Sequence, residues 1–143
     1  MYEVKTVVTF EAAHRLLHYD GKCFFCHGHS YHTKVCIACE GLRGGGFVID
    51  FGDLKKIVKG WIDENWDHSL ILNREDPLCS LLTVEHAHIY KMPALLEPTA
   101  ENMAALLFDV VEKEVKKISP DINVKYVSIK ETATNTAVYR RTK

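Results

Sequence analysis

Residues 1–14, Met-Tyr-Glu-Val-Lys-Thr-Val-Val-Thr-Phe-Glu-Ala-Ala-His, and residues 27–40, His-Gly-His-Ser-Tyr-His-Thr-Lys-Val-Cys-Ile-Ala-Cys-Glu, decide how this chain folds. In the first stretch Val4, Thr6, Val8, Phe10, Ala12 and His14 share one parity. A period of two is the mark of a half-buried strand. The second stretch alternates in the same way through Tyr31, Thr33, Val35 and Ile37, and Asp20-Gly21 supplies a turn signal between the two. Paired as a hairpin, these strands set His14 opposite His27 and His29. Those two are two residues apart, so their rings project to one side. Gly28 between them has no side chain to obstruct the site. Three imidazoles that meet this way form an open zinc site, with a fourth position for water or substrate. Copper, iron and nickel also accept imidazole, so the ligands alone do not select the metal.

Outward from this hairpin, residues 41–46 are glycine-rich and read as a hairpin loop, and Phe47-Val48-Ile49 reads as a short extension of the sheet. Asp50 or Gly52 opens a helix with Leu54, Ile57, Val58, Trp61 and Ile62 at helical spacing. Residues 73–98, with Pro77, Pro93 and Pro98, read as long and irregular. Thr99 caps a second helix, with Glu101 in its first turn where the helix dipole favours an acid. Met103, Leu106, Leu107, Val110, Val111, Val115 and Ile118 form its apolar stripe, and Pro120-Asp121 ends it. Residues 124–130 and 136–141 close the chain as two strands. The order is β-β-α-α-β-β, an α+β domain over residues 1–143 with two helices on one face of an antiparallel sheet. A small open sheet leaves unpaired edges, which favours assembly with further copies.

The bulk numbers narrow the function. With 143 residues one domain is expected, and 18 basic against 19 acidic side chains leave a formal charge of −1. That balance gives no electrostatic reason for nucleic acid or an anionic membrane as partner. No apolar run is long enough for a bilayer span. Five cysteines and the lack of a signal-peptide pattern lead to the expectation of a reducing, cytoplasmic setting with free or metal-bound thiols.

Further residues look chemical. Cys23 lies in the loop that delivers the histidines, and a nearby dication favours its thiolate, a competent base or nucleophile. Cys26 competes for that role. Cys23-x-x-Cys26 and Cys36-x-x-Cys39 together have the spacing of a structural four-cysteine zinc site, the mark of a non-enzymatic binding module. Against this, Cys36 and Cys39 are three apart on a strand, point to opposite faces and read as small packing residues. Asp67-His68 follows the first helix, where an acid beside an imidazole can orient a proton shuttle. A thiol hydrolase built on Cys23 and His68 is a third reading. Glu131 ends the third strand, where a carboxylate can accept from a donor pair on a heterocycle. His86 and His88 repeat the His-x-His spacing within the proline-flanked segment and read as loop residues, with a second metal site as the alternative.

Six islands in order, Phe10-Glu-Ala-Ala-His14, Cys23-x-x-x-His27-Gly-His29, Asp50-Phe51, Trp66-Asp67-His68, Pro98-Thr99-Ala-Glu101-Asn102 and Lys130-Glu131-Thr132, resemble the 6-pyruvoyltetrahydropterin synthase / 6-carboxytetrahydropterin synthase family. The resemblance implies the tunnelling fold, assembled as a homohexamer of two trimers with sites between subunits. It implies a zinc ion on His14, His27 and His29, a catalytic thiol at Cys23, proton-relay partners at Asp67 and His68, and a pterin held by Glu131, Thr99 and Glu101. The implied substrate is 7,8-dihydroneopterin triphosphate. The implied product is 6-carboxy-5,6,7,8-tetrahydropterin of queuosine biosynthesis, formed with loss of triphosphate and acetaldehyde. Elimination of triphosphate alone would give 6-pyruvoyltetrahydropterin. The three residues between Cys23 and His27 resemble the carboxy branch, since the pyruvoyl branch resembles a longer loop. Cys26 and the length of the 73–98 segment depart from the compact pattern.

Overall fold

In the computed structural model, which describes residues 1–142, β1 (Tyr2–His14) and β2 (His27–Cys39) pair antiparallel from end to end. Tyr2 lies opposite Cys39 and His14 opposite His27, so the alternation read from the sequence fixes the register without a slip. β5 (Asn123–Lys130) joins the free side of β2, and β6 (Thr136–Tyr139) joins β5, both antiparallel.

The sheet is larger than the sequence pattern indicates. β3 (Ser69–Leu72) runs parallel to β1, and β4 (His88–Lys91) runs parallel to β3. The six strands stand in the order β4-β3-β1-β2-β5-β6, a mixed sheet whose four central and distal strands are the expected antiparallel unit. Every residue of β3 is buried, so it shows no alternation, as is usual for a parallel strand covered on both faces. The segment expected to be irregular also holds α2 (Leu78–Leu81), a single turn.

Two long helices cover one face. In α1 (Phe51–Asn65) the Asp50 carboxylate caps the first turn by accepting from the amides of Gly52 and Asp53. In α3 (Ala100–Ile118) the Thr99 hydroxyl accepts from Asn102 N–H, as expected. Leu54, Val58, Ile62, Leu107, Phe108 and Val111 meet Val8, Phe10, Tyr31, Val35 and Ile37 from the sheet in one core. Each such side chain contributes roughly 1.5–3 kcal/mol by leaving water.

The loop at 41–49 corrects the expected sheet extension. A single bridge joins Arg43 to Phe47, while Val48 and Ile49 turn inward and are buried in the core. Their apolar pair is better hidden under the helices than spread along a strand edge. Among the described residues no helix is long and apolar enough to cross a membrane.

Candidate active site

His14 at the end of β1 and His27 and His29 at the start of β2 lie on the face that carries the core, and each offers a nitrogen within 4.8 Å of the others. Strand pairing does this: His14 lies opposite His27 and Ala12 opposite His29. Gly28 has the other parity. A Cβ there would meet the Ala12 carbonyl at an ordinary 3.4 Å, and it would lie on the opposite side of the sheet, so its small size does not clear the site.

The hydrogen bonds around the rings define where their lone pairs point. His14 Nδ1 lies 2.7 Å from the Pro98 carbonyl and His27 Nδ1 lies 2.7 Å from the Phe25 carbonyl. Carbonyls only accept, so Nδ1 is the donor in both rings, and in the neutral rings Nε2 carries the lone pair. Yet the two Nε2 atoms are 3.1 Å apart. Two lone pairs at that distance repel unless a cation lies between them. His29 Nε2 is buried and has no partner, a further nitrogen with an unmet need. The donor set therefore fits a dication held by three neutral imidazoles, two of them oriented by carbonyls in the manner of outer support at metal sites. Burial pushes His14 down to about 4. The Pro98 bond opposes that shift, and the charges of His27 and His29 add to it. Burial, with His27, lowers His29 as well. Both effects keep the rings neutral, as metal binding demands. Beneath them Tyr31 stacks on Phe10 at 4.8 Å and meets the His29 ring edge-on at 5.3 Å.

Beside the imidazoles lies a cleft of about 500 Å³ whose walls include His14, Cys23, Thr99, Glu101 and Glu131. Cys23 sits on a 3-10 turn at Lys22–Phe24, and its carbonyl accepts from Leu16 N–H at 2.8 Å. Cys26 is exposed and is not part of the wall. Glu131, just past β5, places Oε1 3.9 Å from His14 Nε2. Burial and the neighbouring Glu101 raise its carboxyl above the usual range, against the opposing pull of His27. Thr99 accepts from the α3 amide, which leaves its hydroxyl hydrogen free to donate.

Asp67 and His68 are not in this cleft. His68 adopts a left-handed backbone at φ 56, and its side chain is 80% exposed. Its Nδ1 lies 2.9 Å from Asp67 Oδ2, while Asp67 Oδ1 accepts from Glu11 N–H at 3.0 Å. Burial works to raise Asp67, but the bonds from the Glu11 amide and His68 outweigh it and hold the carboxyl below its ordinary range. His68 borders a surface hollow that it shares with Glu11, Ala13, Gly28, His29 and Ser30. One chain thus gathers His14, His27, His29, Cys23, Thr99, Glu101 and Glu131, and leaves Asp67 and His68 outside.

The rival metal readings find no such gathering. The three imidazoles are the one group of three or more metal-competent side chains among the described residues. Cys36 and Cys39 are buried within β2, and only Cys39 belongs to the main core, as residues three apart on a strand require. His86 Nδ1 is engaged by Thr83, and His88 opens β4 opposite Ser69. Sequence reasoning missed Arg15, Asp76, Glu97 and the Pro98 carbonyl. Arg15 binds Asp76 through Nε at 2.6 Å and Nη2 at 2.5 Å, and Glu97 accepts from two loop amides. Their partners are some 60 to 80 residues away in sequence, so no local pattern marks them.

Residues 3–142 match the sequence profile described as 6-pyruvoyl tetrahydropterin synthase. A Rickettsia conorii protein named 6-carboxy-5,6,7,8-tetrahydropterin synthase is 42% identical over 102 residues, covering 70% of this chain and 72% of that protein. A Haemophilus influenzae protein of the same name is 30% identical over 147 residues, covering 98% and 99%. The solved structure of Caenorhabditis elegans 6-pyruvoyl tetrahydropterin synthase superposes with a TM-score of 0.69 at 26% identity, covering 99% of this chain and 96% of that one.

Proposed function

This chain belongs to the 6-pyruvoyl tetrahydropterin synthase family, and on that premise we propose that it is a zinc-dependent lyase that converts 7,8-dihydroneopterin triphosphate to 6-carboxy-5,6,7,8-tetrahydropterin, releasing triphosphate and acetaldehyde. The observation that carries the reading is the pair of Nε2 atoms of His14 and His27 3.1 Å apart at the edge of a cleft that also holds a thiol and two carboxylates. Relatives that carry the carboxy name, and the three-residue spacing from Cys23 to His27, favour the carboxy product over the pyruvoyl one.

Each residue has a part set by its place. His14, His27 and His29 would hold the zinc, which would supply Lewis acidity for the negative charge that builds on the substrate side-chain oxygens. Cys23, on the cleft wall, takes the C–H proton as thiolate. Glu131 and Glu101 accept from the N–H edge of the pterin, and the Thr99 hydroxyl donates to it. His68, oriented by the Asp67 carboxylate, moves protons to and from the side chain. Because that pair lies outside the cleft of its own chain, it serves the cleft of another copy. A homohexamer with sites between subunits supplies that arrangement, and the free edges of β4 and β6 give its subunits strands to pair. Five free cysteines suit a reducing cytoplasm.

Incubation of the zinc-loaded protein with dihydroneopterin triphosphate, followed by mass analysis, tests this. Carboxytetrahydropterin with acetaldehyde is the expected outcome. Pyruvoyltetrahydropterin would move the chain to the other branch, and intact substrate would overturn the reading.

A further inference from the structure

The loop at 15–26 carries Cys23 across the rim of the cleft with little regular structure beyond its one 3-10 turn. Such a loop is mobile unless something holds it. Three consecutive amides do so. Leu16 N–H donates to the Cys23 carbonyl at 2.8 Å. Leu17 N–H and His18 N–H donate to the two carboxylate oxygens of Glu97, at 2.9 and 3.1 Å. Cys23 is therefore coupled to Glu97 through one short run of backbone. Glu97 is itself fixed, since Asn73 donates to its Oε1 at 3.3 Å and Asn102 Nδ2 donates to its carbonyl at 2.9 Å. The next residue, Pro98, orients His14, Thr99 caps α3, and Glu101 lines the cleft. Five residues in a row thus set the thiol loop, a metal ligand and a cleft wall. A second tie runs from the same long segment: the side chain of buried Asp76 holds Arg15, whose guanidinium lies 5.0 Å over the ring of Phe24, the neighbour of Cys23.

We propose that Glu97 is the positioning residue for Cys23, fixing the thiol relative to the imidazole cluster by capturing the Leu17 and His18 amides. This rests on the reading of Cys23 as the base. A carboxylate suits the task because it offers two acceptors with charge assistance. Glutamine keeps the shape but offers one acceptor and sets its NH₂ against an N–H donor.

The test uses zinc-loaded full-length Glu97→Gln. Amide exchange at Leu17 and His18 accelerates by at least about fivefold, and so does alkylation of Cys23 by iodoacetamide, while exposed Cys26 changes by less than about twofold. Triphosphate release loses about ten- to a hundredfold in kcat with KM within about twofold, because a displaced base costs the chemical step. Zinc stays at the wild-type level. If Glu97→Gln does not fold, the same readouts are taken on Glu97→Asp, whose shorter arm reaches only one amide. Unchanged exchange and alkylation overturn the proposal, and so does a fall in kcat that tracks zinc loss. If no pterin turns over in the wild-type protein, the function fails by itself, and exchange and alkylation still decide the role of Glu97 as the anchor of this loop.

Discussion

The same few residues at the end of β1 carry chemistry on both sides of the sheet, but the two sides are finished to different degrees. On the core side His14 is buried, its proton is assigned by Pro98, and its neighbours His27 and His29 lie within ligand distance. On the other side Asp67 and His68 are joined to β1 through Glu11, yet the imidazole is open to solvent and neither residue lines the cleft that holds Cys23. On the proposed function, the contrast separates what one chain would complete, a metal site and a substrate cleft, from what it would only present, a proton relay for another copy. Burial accounts for the difference. Buried rings need partners fixed by the fold, whereas an exposed pair is satisfied by water until a second surface arrives.

The largest break in this comparison comes from the buried side. His27→Ala removes one of the two opposed nitrogens, and zinc content and triphosphate release both fall, the latter by about a thousandfold or more. Metal analysis and a turnover assay check both, and retained zinc would place the ion elsewhere. Next comes the cleft wall. Cys23→Ala keeps its zinc and loses about 10²–10⁴ in kcat, whereas Cys26→Ala stays within about threefold of wild type, since only the first thiol lines the cleft. The reverse pattern would reassign the base. The exposed side is probed by mixing. Cys23→Ala and His68→Ala chains, each inactive alone, regain up to about one quarter of wild-type activity when refolded together if relay and thiol come from different copies. No recovery would mean that His68 acts within its own chain, and a His68→Ala chain active by itself would mean that His68 has no part in turnover. The smallest effect is on the helix that walls the cleft. Thr99→Ala costs about 1 kcal/mol in denaturant unfolding through loss of the cap to Asn102, with zinc content unchanged.

The imidazole side was legible in the sequence because β1 from Val4 to His14 and β2 from His27 to Val35 alternate, and parity alone then sets which rings converge. Asp50 and Thr99 were legible as caps for a similar reason, since their chemistry acts within three residues. The segment between α1 and α3 was not. β3 and β4 are four residues each, one fully buried and so without a period to detect, and α2 is a single turn. Gly28 suggested a cleared site, but its parity puts it on the other face. The direction of Asp67 and His68 depended on a left-handed residue at 68 that no pattern announced. Glu97 and Asp76 act on partners far along the chain, so their roles exist only once the sheet has formed. The resemblance between motifs named candidate residues, and the structure gathers His14, Cys23, Thr99, Glu101 and Glu131 at one cleft while Asp67 and His68 lie outside it.

X-ray absorption fine structure at the zinc edge of the purified, zinc-loaded protein tests the metal centre most directly. Three imidazoles and one light ligand predict a nitrogen and oxygen shell at about 2.0–2.1 Å with the outer scattering of histidine rings, at one zinc per chain. A sulfur shell at about 2.3 Å, or zinc that persists when His14 is replaced, would contradict it.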